Sequence, residues 1–264
     1  MYFQLLDHKA DCIGYYADNL INSTSPLPSE GSTWEYSSQL PGSQYELGRI
    51  YSHGASLTDA CPEDMKQDWE EIKKTLKSCL KAFNTAQLSL NENCFYDVLP
   101  EYFLFEYLSA KNKITEHVLD TYPRPKNYQL TYNLIEMLGT IRDRSLNINI
   151  DPIKHLLSSV RGKNFHRTLQ TVKPICDYNP WGTVTGRLAT SPNSFPILTM
   201  NKEYRACVKP QNDWLVELDF NAAELRTLLA LTGAEQPGND IHDWNVKNIF
   251  DSKLTREEAK VKTF

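Results

Sequence analysis

Between residues 62 and 84 the apolar side chains recur at steps of three and four: Met65, Trp69, Ile72, Leu76, Cys79 or Leu80, and Phe83. Lys and Glu fill the opposite face. That spacing belongs to a helix, because residues three and four apart share a face at 3.6 residues per turn. Its aromatics read as core. A helix with one apolar stripe must bury that stripe against another element, so the chain is expected to fold around packed helices.

Further helical periods follow. Residues 95–119 are apolar, with Pro100 near a first turn. Pro123 and Pro125 then break the chain, and residues 128–144 resume the period through Tyr132, Ile135, Leu138 and Ile141. Leu146, Ile148 and Ile150 alternate with Asn, which predicts a short strand. Asp151-Pro152 predicts an N-cap with proline at the first helical position, opening a helix through residue 160. Arg161, Lys163, His166, Arg167 and Lys173 make the next stretch locally basic, which a solvated loop explains as well as a phosphate contact does. Residues 1–60 show no sustained period, and 19–43 are rich in Ser, Pro, Gly and Asn, which reads as loop.

Composition sets limits. Of 264 residues, 41% are hydrophobic, enough for a real core, so wholesale disorder is excluded. Lys plus Arg is 28 and Asp plus Glu 33, a net charge of −5, which excludes a globally basic nucleic-acid coat but not a local basic cleft. No apolar run approaches the roughly 18 residues of a membrane span. The N-terminus lacks the basic region and cleavage site of a signal peptide, so a cytoplasmic location is expected. The six cysteines (Cys12, Cys61, Cys79, Cys94, Cys176, Cys207) form no C-x-x-C pair and read as incidental thiols.

The last third carries the chemistry. Trp214-Leu-Val-Glu-Leu-Asp219-Phe220 reads as a buried strand with a carboxylate at its exit. Asn221 leads into an Ala- and Leu-rich helix, residues 222–232, stopped by Gly233. A carboxylate there can hold a metal, cap the helix or be solvated. Asp240-Ile241-His242 opens another helix, to about Phe250, with Asp240 as a possible cap and His242 in a first turn that favours anions. Thr255-Arg256-Glu257-Glu258 is a capping box. Arg256, Lys260 and Phe264, spaced by four, form one stripe. It suits a phosphate tail with a flat base beyond it, although a solvated basic face with one core Phe accounts for the stripe alone.

Taken in order, Thr185-Gly-Arg187-Leu, Pro192-Asn193, Leu218-Asp219-Phe-Asn-Ala-Ala-Glu224-Leu-Arg226, Asp240-Ile-His242 and Arg256-x-x-x-Lys260-x-x-x-Phe264 resemble the family A DNA polymerases, the DNA polymerase I type, phage members above all. The resemblance runs from about Tyr178 to the last residue. It implies an α+β fold: a mostly helical N-terminal and thumb-like region, then the first half of a polymerase palm and the start of the fingers. The implied divisions are an irregular segment 1–60, a helical region 61–125, thumb-like helices 126–171, a partial palm 172–233 and the start of the fingers 234–264.

It also implies roles. Asp219 would be one of two aspartates holding a catalytic Mg2+ pair, helped by the backbone carbonyl of Phe220, for two-metal phosphoryl transfer to a primer 3′-hydroxyl. Glu224 would be the steric gate against a ribose 2′-hydroxyl. His242, Arg256 and Lys260 would hold the dNTP triphosphate, and Phe264 would stack near its sugar and base. Thr185, Arg187, Asn193 and Arg205 would face the primer–template DNA, where Arg187 and Asn193 would read minor-groove shape. Phe220-Asn221-Ala222 replaces the family's Tyr-Ser-Gln, and Ser194-Phe195-Pro196 replaces its Leu-Gln-Asn. The second aspartate, in a His-Asp hairpin between strands, has no counterpart; His242-Asp243 runs into a helix instead. Nor do Asp7, Asp11 and Asp18 sit in the surroundings of a proofreading exonuclease.

The expectation is therefore the N-terminal part of a split or truncated DNA-directed DNA polymerase. It would be inactive alone and completed by a second polypeptide carrying the remaining fingers and palm. The alternative is a non-catalytic DNA-binding or interaction fragment.

Overall fold

In a computed structural model, the structure describes residues 1–6, 14–22, 27–40, 44–88, 90, 93–192 and 194–263. The chain divides into two units, Met1–Gln211 and Asn212–Phe264. The fold is α+β, combining helices with several small sheets.

The first unit is built around one long helix. After β1 (Phe3–Leu5), β2 (Tyr15–Ala17), β3 (Leu20–Asn22), β4 (Gly31–Thr33) and β5 (Tyr45–Leu47) come the short α1 (Gly48–Tyr51), then α2 (Lys66–Thr85), α3 (Phe95–Val98) and α4 (Glu101–Thr121). The expected stripe is present in α2, where Trp69 and Ile72 are buried. Helix α4 is buried on more than one face, through Phe103, Leu104, Leu108, Ile114 and Val118. It packs against α1, α2, α3, β1, β2 and β4. The expected helix over 95–119 is broken at Leu99, whose ψ of 143° is extended. A residue before proline is pushed out of the helical region, so Pro100 ends one helix and caps the next.

Among its described residues the N-terminal segment, expected to be irregular, carries five short strands. Strands β1, β2 and β3 form an antiparallel sheet, and β4 pairs in parallel with β5. Runs of three residues are too short to show a period of two, and long-range contacts fix them. The buried Gln4 amide donates from Nε2 to Thr115 Oγ1 at 3.0 Å, while its Oε1 accepts from the Trp34 backbone N–H at 3.3 Å. One satisfied amide thereby ties β1 to α4 and to the exit of β4.

Helix α5 (Tyr128–Arg142) joins this core through Tyr128 and Tyr132. A second, smaller core gathers Ile153, Phe195, Met200, Tyr204 and Cys207. Around it lie β6 (Asn147–Ile148), α6 (Val160–Thr171) and β9 (Val208–Lys209). The strands β7 (Tyr178–Asn179) and β8 (Ala189–Thr190) are joined by a loop whose Trp181 packs on the first core. Strand β6 pairs antiparallel with β9, and β7 with β8. The expected thumb-like stretch 126–171 is thus shared between two cores. The helix expected from residue 151 is a 3-10 turn over Asp151–Leu156. Asp151 lies inside it and pairs with Lys154 at 2.7 Å. The cap is Ser159, whose Oγ accepts from the Gly162 N–H at 3.0 Å to open α6.

The second unit contains α7 (Ala223–Thr232), α8 (Ile241–Asn248) and α9 (Arg256–Thr263). Helices α8 and α9 pack together, with Ile241, His242, Asn245 and Ala259 buried. Helix α7 ends at Gly233 in the left-handed conformation (φ 69°), as the sequence predicts. The buried strand expected over 214–220 is absent. Trp214, Val216, Leu218 and Phe220 are 78–90% exposed, and no strand is assigned there. A strand needs a hydrogen-bonded neighbour, and among the described residues none pairs with this segment. Among them, too, no helix is long and apolar enough to cross a membrane.

Candidate functional site

In the second unit one carboxylate draws together three segments that are far apart in sequence. Asp240 caps α8: its Oδ1 accepts from the His242 N–H at 2.9 Å and from the Asp243 N–H at 3.1 Å. Its Oδ2 accepts from Asn221 Nδ2 at 3.2 Å and from the Arg256 guanidinium at 3.0 Å. The exit of the Asp219 segment, the Asp-Ile-His turn and the first residue of α9 therefore converge on Asp240. The Arg256 guanidinium, with the capped amides, holds the Asp240 carboxyl well below the usual carboxylate range.

Arg226 in α7 fixes the loop that leads to this cap. Its Nε donates to the Asn221 carbonyl at 2.9 Å, and its terminal nitrogens donate to the carbonyls of Pro237 and Asn239 at 3.0 Å each. Gln236 Nε2 returns a bond to the Arg226 carbonyl at 3.0 Å. Ala222, immediately before α7, sits at φ 51° and ψ 55°, a left-handed conformation that costs a non-glycine residue about 1–2 kcal/mol. This turn separates Asp219 from Glu224. Glu224 lies exposed in the first turn of α7, where negative charge is favoured.

The capping box of α9 is formed as its sequence predicts. Thr255 Oγ1 accepts from the Glu258 N–H at 3.3 Å, and Glu258 Oε2 accepts from the Thr255 N–H at 2.8 Å. Arg256 and Lys260 are both exposed on α9. Arg256 also pairs with Glu257 at 2.9 Å, so an incoming phosphate would compete with two carboxylates for its guanidinium.

Other expected site residues are placed differently. His242 is buried against the α8–α9 pair rather than presented to solvent. Asp219 and Phe220 lie on the exposed segment. Among the described residues, no group of three or more His, Cys, Asp or Glu side chains is positioned to hold a metal ion. The residues of this chain thus do not by themselves fit a magnesium pair. In the first unit, Thr185 and Arg187 sit in the exposed loop joining β7 to β8, where Gly186 turns at φ 75° and Thr183 Oγ1 donates to the Arg187 carbonyl at 2.7 Å. Arg205 is exposed on the 3-10 turn Lys202–Cys207. Asn193 and Phe264 lie outside the described residues.

The organising role of Arg226 carries no signal in sequence, because its acceptors are backbone carbonyls. Asp240 is visible beforehand as a cap, but not as the meeting point of three segments. Comparison of the chain with protein-family models, with curated proteins and with solved structures finds no match.

The cap makes a testable prediction. Replacing an Asp cap by Ala costs about 0.5–2 kcal/mol. Asp240→Ala should therefore lower the unfolding midpoint of the second unit, read from the indole N–H resonance of Trp244 in α8. Because its folded-state pKa is depressed, Asp240 stabilises the unit fully above the unfolded value of about 3.9 and loses that contribution as pH falls through the folded value. Asp240→Asn keeps an acceptor for the cap and should flatten this acid-side slope. An acid slope identical in the Asn variant would show that Asp240 is not its source.

Proposed function

We propose that this chain is the N-terminal portion of a family A DNA-directed DNA polymerase, completed by a second polypeptide that carries the remaining fingers and palm. The observation that carries the reading is the convergence at Asp240. Two of the ordered elements of the resemblance, through Asn221 of the first and Arg256 of the last, bond to the Asp240 carboxylate of a third, the Asp-Ile-His element.

In this reading Arg256 and Lys260, one turn apart on α9, take the dNTP triphosphate, and Glu224 stands at the sugar. Thr185, Arg187 and Arg205 take the primer–template DNA. Magnesium supplies the charge neutralisation of phosphoryl transfer in the completed enzyme, and Asp219 is this chain's contribution to that site. The exposed run from Trp214 to Phe220 supports the need for a partner. Val216, Leu218 and Phe220 alternate with Glu217 and Asp219, the pattern of a strand, yet the segment is unpaired among the described residues. Such an apolar edge is a template for an incoming strand.

Primer extension tests the proposal. The purified chain with primer–template, magnesium and dNTPs should give no product. Adding a polypeptide with the remaining fingers and palm should give magnesium-dependent extension. Extension by the chain alone would remove the need for a partner. Binding of primer–template by the reconstituted pair, with neither extension nor tightening by dNTP, would instead favour a non-catalytic DNA-binding fragment.

A further inference from the structure

The first unit holds a cavity of about 290 Å3, whose lining includes none of the residues assigned a role above. Its wall includes Trp34, Tyr36 and Trp181, together with Arg49, Arg142 and Asp177. Two of the rings are seated directly on glycine backbone. A Cβ at Gly139 would lie 2.5 Å from Tyr36 Cε1, and one at Gly54 would lie 2.1 Å from Trp181 Cγ. Gly139 is interior to α5, where glycine is a poor helix former, so helix propensity is given up to let the Tyr36 ring approach.

The Arg49 guanidinium lies 4.9 Å from the centre of the Trp181 ring. Its charge is matched by Glu35 at 2.6 Å. Its Nε is buried and has no hydrogen-bond partner among the described residues. A buried donor left unused is costly, and because this atom is closed off from solvent, an acceptor in the cavity reaches it only when the Arg49 side chain shifts. Arg142 is paired with Asp143 at 3.4 Å, and Asp177 adds a carboxylate to the wall. The cavity therefore carries little surplus positive charge and is poorly suited to a free phosphate. Rings, a guanidinium plane and one spare donor suit a neutral planar heterocycle with an acceptor on its edge. The volume is at the small end of ligand pockets, which run from about 300 Å3. The hairpin loop that plants Trp181 in the wall also presents Thr185 and Arg187.

We infer that this cavity receives an unpaired nucleobase of single-stranded DNA. The base stacks among the three aromatic side chains, and a ring nitrogen or carbonyl on its edge accepts from Arg49 Nε. Only an unpaired base can enter, since a base within a duplex has both faces stacked and its edge engaged. The inference rests on the reading that the chain handles DNA, and identifies a second DNA contact for it.

Photo-crosslinking of the full chain to a 12-nucleotide oligo-dT with one 5-iodo-deoxyuridine tests it. The crosslink should map to peptides containing Trp34, Tyr36 or Trp181. Arg49→Lys, which keeps the charge beside Glu35 but lacks Nε, and Tyr36→Leu should each weaken oligo-dT binding about tenfold. Affinity for fully duplex DNA should stay within about twofold of the unsubstituted chain. Crosslinks that map elsewhere, or unchanged oligo-dT affinity in both variants while duplex still binds, would overturn this inference alone. Failure to bind either form of DNA would overturn it together with the polymerase reading.

Discussion

Gly54→Ala is expected to lower the melting temperature of the first unit by about 10 °C. Two costs add. Gly54 has φ +87°, a conformation that costs an L-residue about 1–2 kcal/mol. Its new methyl group would meet Trp181 Cγ at 2.1 Å, far inside van der Waals contact, and overpacking of this kind costs about 1–3 kcal/mol. The sum is about 3 kcal/mol, and each kcal/mol moves the melting temperature of a unit of this size by about 2–4 °C. Near-ultraviolet circular dichroism during heating reads the change. Trp181→Ala removes the ring contacts and leaves only its Cβ, 2.7 Å from the new methyl group. In that background Gly54→Ala should cost less, so the pair should be less than additive. A Gly54→Ala melting temperature within about 1 °C of the unsubstituted chain would mean that the ring does not rest on Gly54.

Asp219→Asn is expected to reduce dNTP incorporation by the completed polymerase at least about a thousandfold. The substitution keeps the shape and removes the charge. Stabilising charge at a reacting phosphate is worth several kcal/mol, and about 4 kcal/mol corresponds to a thousandfold in rate. Since Asp219 is exposed and outside both cores, the melting temperature should not change. Nor should primer–template affinity change, because the proposed DNA contacts lie elsewhere. Single-turnover incorporation by the reconstituted pair is the measurement. Glu217→Gln, a neighbouring exposed acid, serves as the control and should leave the rate intact. Full activity in Asp219→Asn would refute the assignment of Asp219 to the metal site.

The elements that could be read from sequence are those with a local cause. The stripe of α2, the period of α5, Gly233 after α7 and the box at Thr255 each depend on residues within a turn or two of one another. The first five strands have no such cause. Gln4 is buried because Thr115, Thr33 and Trp34 satisfy its amide, and nothing near Gln4 in sequence announces that. The run 214–220 fails in the opposite way: its apolar run is clear, but a strand also requires a neighbour. At the candidate site the same division holds. Asp240 is legible as a cap, whereas its bonds to Asn221 and Arg256 span 19 and 16 residues. Arg49, Gly54 and Trp181 come together only in the fold, and none belongs to a motif.

The bond from Gln4 to Thr115 also bears on how the protein is made. The two residues are 111 positions apart, and Asn112 and Asp120 reach back to Tyr2 in the same way. On a ribosome adding about 5–20 residues each second, strand β1 leaves the exit tunnel and waits about 5–20 seconds for α4 to follow. During that interval Phe3, Leu5 and Tyr16, all buried in the finished core, have no helix to cover them. Early synthesis is therefore the period in which this chain has most to gain from a chaperone.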